Sequence, residues 1–192
     1  MSTIKDIIVT SLLMQELKEK IVGVEFKNLV THGDERGFFR EVIRDSDPFF
    51  QGGFKQWSHS LMAKNTVKAW HYHHLQTDWW YLAIGTAQVV LIDHRENSPT
   101  KGEKLDFTLC GQDSDQGLQA VVKIPPGVLH GCKVLSDSAH LFYITSEEYD
   151  STDEGRIPFN SLDAHNWGDE TQLIVADNDK KAFTPKSPLT SN

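Results

Sequence analysis

A histidine-rich stretch, Trp70-His71-Tyr72-His73-His74, is the first sign of chemistry in this 192-residue sequence. If the stretch is a strand, His71 and His73 point to the same face, because strand side chains alternate between two faces. The acidic residue Asp78 follows after a short turn. Two imidazoles and a carboxylate on one surface could supply three ligands for a divalent ion such as zinc, iron or manganese.

A second motif, Ile124-Pro125-Pro126-Gly127-Val128-Leu129-His130-Gly131, contributes another histidine. Two prolines and a glycine predict a tight turn that delivers His130 from a separate strand. The two motifs together resemble the paired motifs of cupins, which read HxH, an acidic residue and glycine, then PxGxxH. The matching positions are His71, His73, Gly85, Pro125, Gly127 and His130, with Asp78 where a glutamate is commoner.

Short strand-like runs separated by turn residues indicate an all-β fold, either a sandwich or a barrel. We predict strands over Ile21–Val30, Phe38–Arg44, Gln56–Met62, Trp79–Ile84, Ala87–Asp93, Leu105–Cys110, Ala120–Ile124, Cys132–Leu135 and Leu141–Thr145. Thr31–Gly37 is expected to be a polar turn, Gly85-Thr86 a hairpin and Ala176–Lys181 a charged, helical turn. We divide the chain into a peripheral segment with a short helix (residues 1–20), one domain (21–183) and a loose tail (184–192).

The composition excludes some partners. A formal net charge of −8 disfavours non-specific binding to nucleic acid and to anionic membranes. The chain opens with no signal-peptide pattern and contains no apolar run of membrane-spanning length. Cys110 and Cys132 are expected to be buried, reduced thiols. We therefore expect a cytoplasmic protein.

A closer resemblance extends over roughly residues 21–180. It rests on Gly33–Glu41 (GDERGFFRE), Val67–His71, Asp93–Thr100, Ile124–Gly131 and Leu141–Tyr149, all of which look like dTDP-4-dehydrorhamnose 3,5-epimerase. The resemblance implies a cupin jelly-roll barrel and an isomerase in dTDP-sugar and rhamnose biosynthesis. It also implies a nucleotide-sugar substrate, no metal and no cofactor, and a homodimer in which the N-terminal strand is exchanged.

The resemblance assigns roles to individual residues. His71 becomes the general base beside the C4 ketone, Asp179 the carboxylate that orients it, and Tyr143 the general acid. A base with a pKa near neutrality suits the weakly acidic proton next to a ketone. The remaining positions, which contact the substrate, are Arg36, Glu41, Gln56, Lys68, His130 and Glu154, with Lys68 and His130 beside the enolate.

The chain departs from the family in ways that keep alternatives open. Lys68 stands where the family has arginine, Asp78 where it has lysine, and Val89 where it has aspartate. These changes remove part of the oxyanion site and restore a metal-cupin ligand pattern. One alternative is therefore a metal-dependent cupin that holds one divalent ion with His71, His73, Asp78 and His130. Another is a cupin that binds sugar without catalysis.

Overall fold

The computed structural model describes residue 17 and residues 19–51 and 53–184. Strands make up 46% of it, which confirms the all-β prediction. The strands are β1 Glu25–Asn28, β2 Thr31–Asp34, β3 Gly37–Arg40, β4 Gln56–Ala63, β5 Thr66–His73, β6 Asp78–Ile84, β7 Thr86–Asp93, β8 Lys104–Cys110, β9 Ala120–Ile124, β10 Val128–Val134, β11 Ser138–Thr145, β12 Glu154–Arg156 and β13 Ile174–Val175. Two short 3₁₀ helices, η1 Glu170–Gln172 and η2 Asp177–Lys180, lie near the C-terminal end.

Two sheets form the barrel. The first has the order β1-β9-β6-β11-β4, and the second has the order β12-β5-β10-β7-β8, with β13 running parallel to β5. Between them lies a core of aliphatic and aromatic side chains that includes Val89, Leu91, Trp80 and Leu141. A second cluster, with Trp70, Leu129 and Trp167, covers the outer face of β5 and β10 under the C-terminal segment. His71 and His130 face the interior between the sheets.

An extra residue in β5 decides which of its side chains face that interior. His71 pairs with His130 and Lys68 pairs with Cys132, so three steps along β5 oppose two along β10. Such a bulge interrupts the alternation of side chains. Ala69 and Trp70 both join the outer cluster. Lys68, opposite the core residue Cys132, therefore shares the interior face with His71.

The predicted hairpin at Gly85-Thr86 is wrong. Strand β6 pairs with β9 and β11, whereas β7 pairs with β8 and β10, so the chain crosses from one sheet to the other at Gly85. Gly85 has a φ of 86°, and a Cβ atom there would lie 2.2 Å from the carbonyl oxygen of Ser138. The glycine is thus required by the crossing between sheets and not by a two-residue turn.

The N-terminal region differs from its prediction in several places, since β1 covers only Glu25–Asn28 of the predicted Ile21–Val30 and β3 ends at Arg40 rather than at Arg44. Residues 31–37 form most of a hairpin, because β2 pairs with β3 across a turn at Glu35-Arg36. The short helix predicted within residues 1–20 lies mostly outside the described residues, although Leu17, Glu19 and Lys20 are helical. The proposed tail likewise lies outside them except for Thr184. None of the helices in the described part of the chain is long and apolar enough to span a membrane.

Candidate active site

His71 lies between two carboxylates. Its Nε2 is 2.9 Å from Asp179 Oδ1 and its Nδ1 is 2.9 Å from Glu154 Oε1. The His71 side chain retains 24% of its exposure, whereas both carboxylates are buried. The sequence-predicted pair of His71 and Asp179 is therefore brought together, across 108 positions of sequence.

Backbone contacts bring both carboxylates to β5. Strand β12 pairs with the end of β5, placing Glu154 opposite His73 and Arg156 opposite His71. Asp179 is the one buried residue of η2, and its carbonyl accepts a hydrogen bond from Phe159 N (2.9 Å). Because β13 also pairs with β5, the segment leading to η2 is held against the same strand.

The carboxylates control the charge of His71. Burial lowers the pKa of its imidazole, but the hydrogen bonds that the imidazole donates to Asp179 and Glu154 outweigh this and raise the pKa to about 9. Burial likewise raises the pKa of Glu154, and the contacts with His71 and Arg156 overcome it, lowering the value to about 2. Arg156 donates two hydrogen bonds of 2.9 and 3.1 Å to the Glu154 carboxylate. The raised pKa of His71 thus favours an imidazolium in the free protein, held between Asp179 and Glu154.

His130 is buried and neutral. Burial lowers the pKa of its imidazole to about 4. Its Nδ1 lies 3.1 Å from the carbonyl oxygen of Val128. A carbonyl only accepts, so Nδ1 carries the proton and Nε2 presents a lone pair to the interior. That Nε2 lies 3.9 Å from Asp78 Oδ2.

His73 and Asp78 lie beside His130. Each of the three offers one atom, and these atoms lie within 4.8 Å of one another. The amide nitrogen of Gln76 lies 3.2 Å from His73 Nε2 and donates to Asp78 Oδ1 at 2.7 Å. Of the four predicted metal ligands, three form this group, and the group does not include His71.

Tyr143 lies in β11, in the sheet opposite His71, and packs against the interior core. Its pKa is raised by burial and by the negative charges of Asp78 and Glu154, although a hydrogen bond with Ser58 lowers it. Gln56 donates to the same Ser58 hydroxyl (3.0 Å). The phenol therefore stays protonated at neutral pH, as a general acid requires.

Lys68 extends from β5 to the preceding strand β4, where its ammonium donates to Ser60 Oγ (2.8 Å) in a solvent-exposed contact. Ser60 and Ser58 point to the same face of β4, since they are two residues apart. Lys68 and Tyr143 therefore approach neighbouring positions of one strand from the interior side.

Two predicted substrate contacts lie elsewhere in the single chain. Arg36 is at the turn of the β2–β3 hairpin, where its side chain is 83% exposed and pairs with Asp34. Glu41 is exposed and pairs with Arg44. One chain by itself does not bring either residue into contact with His71.

The sequence of this chain is similar to those of known sugar-nucleotide epimerases. The family model described as dTDP-4-dehydrorhamnose 3,5-epimerase matches residues 18–186. The chain belongs to this family. The spore coat polysaccharide biosynthesis protein SpsL of Bacillus subtilis is 42% identical over 154 residues, which cover 79% of this chain and 93% of SpsL. The dTDP-4-dehydrorhamnose 3,5-epimerase of Escherichia coli is 30% identical over 180 residues, 89% of this chain and 94% of that enzyme.

A solved structure of a family member agrees in fold. The dTDP-6-deoxy-D-glucose-3,5-epimerase of Legionella pneumophila, in complex with dTDP-4-keto-L-rhamnose, has a TM-score of 0.72 and 27% sequence identity. The alignment covers 83% of this chain and 86% of that one. Together these relatives confirm a cupin-fold enzyme of the dTDP-sugar isomerase type.

Three residues of this epimerase-family site were missed from the sequence. Arg156 pairs with Glu154, and Gln76 lies between His73 and Asp78. Asp153 accepts hydrogen bonds of 2.8–3.1 Å from the three backbone amides of residues 74–76, which fixes the loop that carries Gln76. The alternation of Glu154 and Arg156 along a strand was the one available signal, and it gave no hint of Gln76 or Asp153.

Proposed function

We propose that this enzyme epimerises a nucleotide-linked 4-keto-sugar, with His71 as the base that removes a proton next to the ketone. The observation that carries the proposal is the 2.9 Å contact between His71 Nε2 and the buried carboxylate of Asp179. A carboxylate in this position fixes the orientation of the imidazole and stabilises the imidazolium that forms when the substrate proton arrives.

His71 must be neutral before it can accept a proton, so one of its two carboxylates has to release it. Glu154 is suited to this because Arg156 already holds it through two hydrogen bonds. When substrate enters, Glu154 turns towards Arg156, the pKa of His71 falls, and the proton on Nδ1 is lost to solvent, so that Nδ1 becomes the proton acceptor. Asp179 keeps its contact throughout and acts as the orienting group.

Tyr143 returns a proton from the other side. His71 belongs to one sheet and Tyr143 to the opposite sheet, and both side chains face the interior. A sugar ring held between the sheets would lose a proton on one face and gain one on the other, which inverts the carbon. The raised pKa of the phenol favours a protonated donor before the reaction.

The enolate formed in between requires a positive charge near its oxygen. Lys68 supplies one from the interior face of β5. His130 is less suited to donate, because its only proton is committed to the Val128 carbonyl and Nε2 offers a lone pair. Of the two enolate contacts expected from the sequence, we therefore retain Lys68 as the hydrogen-bond donor.

We further propose a cytoplasmic homodimer in which the hairpin of one chain approaches the site of the other. Phe38 and Phe39 on this hairpin are 52% and 64% exposed, which is unusual for two adjacent phenylalanines in a monomer. Arg36 at the turn would then contact the partner's substrate. The variant Phe39→Glu is expected to shift sedimentation towards monomer and to lower epimerase activity, and an unchanged dimer would contradict the arrangement.

The experiment for the reaction is proton exchange in heavy water. We expect the protein to replace the C3 or C5 protons of a dTDP-linked 4-keto-6-deoxy sugar with deuterium, followed by NMR. His71→Asn should abolish exchange, whereas His140→Asn, on the outer face of β11 beside His59, should not. Absence of exchange with every 4-keto-sugar nucleotide, or exchange by His71→Asn at the normal rate, would contradict the proposal. Sugar binding without exchange would instead support a non-catalytic cupin.

A further inference from the structure

Three side chains from three strands converge in the interior next to His71. His73 ends β5, Asp78 begins β6 and His130 lies in β10. One nitrogen or oxygen atom from each lies within 4.8 Å of the other two. We propose that His73, Asp78 and His130 together bind one divalent transition-metal ion, and that His71 is not among its ligands.

The protonation of the histidines suits ligation. A metal binds the lone pair of a neutral imidazole, and the other ring nitrogen is commonly fixed by a hydrogen bond to a carbonyl. His130 has this arrangement, since Nδ1 donates to Val128 O at 3.1 Å and Nε2 faces Asp78. For His73, Nε2 faces the amide nitrogen of Gln76 at 3.2 Å, so it also presents a lone pair.

The charge balance at Asp78 also calls for a cation. Asp78 is 4% exposed, and it accepts hydrogen bonds from Gln76 Nε2 (2.7 Å) and Trp80 Nε1 (3.1 Å), both of them neutral. Among the described residues its one basic neighbour within 4 Å is His130. A buried carboxylate without a positive partner is costly. A divalent ion would neutralise it.

The amide of Gln76 occupies the position that we propose for the ion. Its amide nitrogen stands between two acceptors, His73 Nε2 and Asp78 Oδ1. A cation between the same atoms would replace this donor, and a rotation of the amide would offer its oxygen as a further ligand. Asp153 holds the backbone of residues 74–76 in place during the exchange.

The proposed ligand atoms must move closer together to bind an ion. Two ligand atoms about 2.1 Å from an ion at a tetrahedral angle are about 3.4 Å apart, so His130 Nε2 and Asp78 Oδ2, 3.9 Å apart, must approach by about 0.5 Å. The other separations between ligand atoms, all within 4.8 Å, must close by at most about 1.4 Å, and side-chain rotation can supply both movements. Two imidazoles and one carboxylate suit zinc, iron, cobalt, nickel or manganese and leave coordination positions open to the interior.

His71 is kept out of this set because both of its nitrogens contact carboxylates at 2.9 Å. Its ring centre is 6.3 Å from that of His130, so ion and base would face one cavity. Binding of the ion stands independently, whereas its role rests on the proposed function. In the reaction, the ion would remove the repulsion between Asp78 and an enolate and would add positive charge on that side.

Metal binding by the full-length protein tests the site without any substrate. The protein is stripped with a chelator, titrated with Co²⁺ and passed through a desalting column, and its visible absorption and cobalt content are measured. We expect about one Co²⁺ per chain, with a visible band typical of nitrogen and oxygen ligation, and a thermal midpoint raised by Zn²⁺. His73→Ala and Asp78→Asn should each weaken binding at least about tenfold.

Three controls make the result specific. His71→Asn should bind Co²⁺ as the unaltered protein does, although it should be inactive in proton exchange. A failure of the metal site can therefore be distinguished from a failure of the proposed reaction. Asp78→Glu should retain binding if Asp78→Asn fails to fold. His140→Ala removes the exposed pair with His59, a surface histidine pair that could take up Co²⁺. No bound cobalt, equal binding by His73→Ala, or loss of binding in His140→Ala alone would each overturn the proposal.

Discussion

The substitution Asp179→Asn isolates the buried carboxylate behind His71 while hardly changing its size. The carboxylate can only accept a hydrogen bond, and it stabilises the positive charge that His71 gains from the substrate. An amide at the same place keeps the packing, removes the charge and can donate to the nitrogen instead. We expect the Kd for the nucleotide sugar to stay nearly unchanged and the rate of proton exchange to fall steeply.

The expected loss of exchange rate follows from the contact between His71 and Asp179. General-base catalysis by a positioned histidine contributes about 10²- to 10⁴-fold, and His71 keeps this role only if its orientation and charge are maintained. Both depend on a 2.9 Å contact with a carboxylate whose side chain is 6% exposed. We therefore expect Asp179→Asn to lower the exchange rate by about 10²-fold or more. His71→Asn combined with Asp179→Asn should be no slower than His71→Asn alone, because the two residues act as one unit.

The neighbouring Asp177→Asn is the matched control. Asp177 lies in the same 3₁₀ helix, but its side chain is 86% exposed and pairs with Lys180 at 3.1 Å. Exchange measured in heavy water at several substrate concentrations separates rate from affinity. Exchange by Asp179→Asn within about twofold of the unaltered protein, or multiplied losses from the two single substitutions in the double variant, would refute the orienting role of Asp179.

Three shorter predictions concern other contacts. Asp93→Asn should lower the free energy of unfolding by about 3 kcal/mol at pH 7 and by progressively less below about pH 4. Burial raises the pKa of Asp93, but hydrogen bonds from Arg95 and two hydroxyls hold it well below its unfolded value. Acid therefore removes this stabilisation as it protonates the folded carboxylate. The same difference in unfolding free energy between variant and unaltered protein, measured with urea at pH 7 and below about pH 4, would contradict this prediction. Cys110 and Cys132 are buried with raised pKa values, about 11 for Cys132, and a thiol reagent should modify them only as fast as the protein unfolds. Lys68→Ala should slow exchange by about 10²-fold and Lys68→Arg much less, whereas equal rates for all three proteins would exclude a charge contribution.

Much of the strand pattern could be predicted from the sequence, because β-branched and aromatic runs are local signals. Strand β9 matches its predicted bounds, and β8 and β6 differ from theirs by one residue at the start. Which strand pairs with which is a long-range property. Gly85 followed by Thr86 has the local pattern of a hairpin turn, yet the adjoining strands enter opposite sheets.

Asp179 illustrates the same limit at the site. Its neighbours Asp177, Asn178 and Lys180 are typical of a solvated turn, and nothing local distinguishes it. It is buried because β13 pairs with β5 and brings η2 beneath His71. The resemblance to the epimerase family identified this residue, since alternation and composition could not.

Strand β5 contributes side chains to both proposed centres, and its bulge adds Lys68 to the face that carries His71. Regular alternation places Lys68 and His71 on opposite faces, whereas the extra residue between them turns both towards the interior. His71 and His73 then share a face, but their partners come from different directions. Strand β12 and helix η2 approach His71 with carboxylates, while β6 and β10 bring Asp78 and His130 to His73. Under the two proposals, the HxH pattern of a metal cupin is divided, because His71 would exchange protons with the substrate whereas His73 would bind an ion.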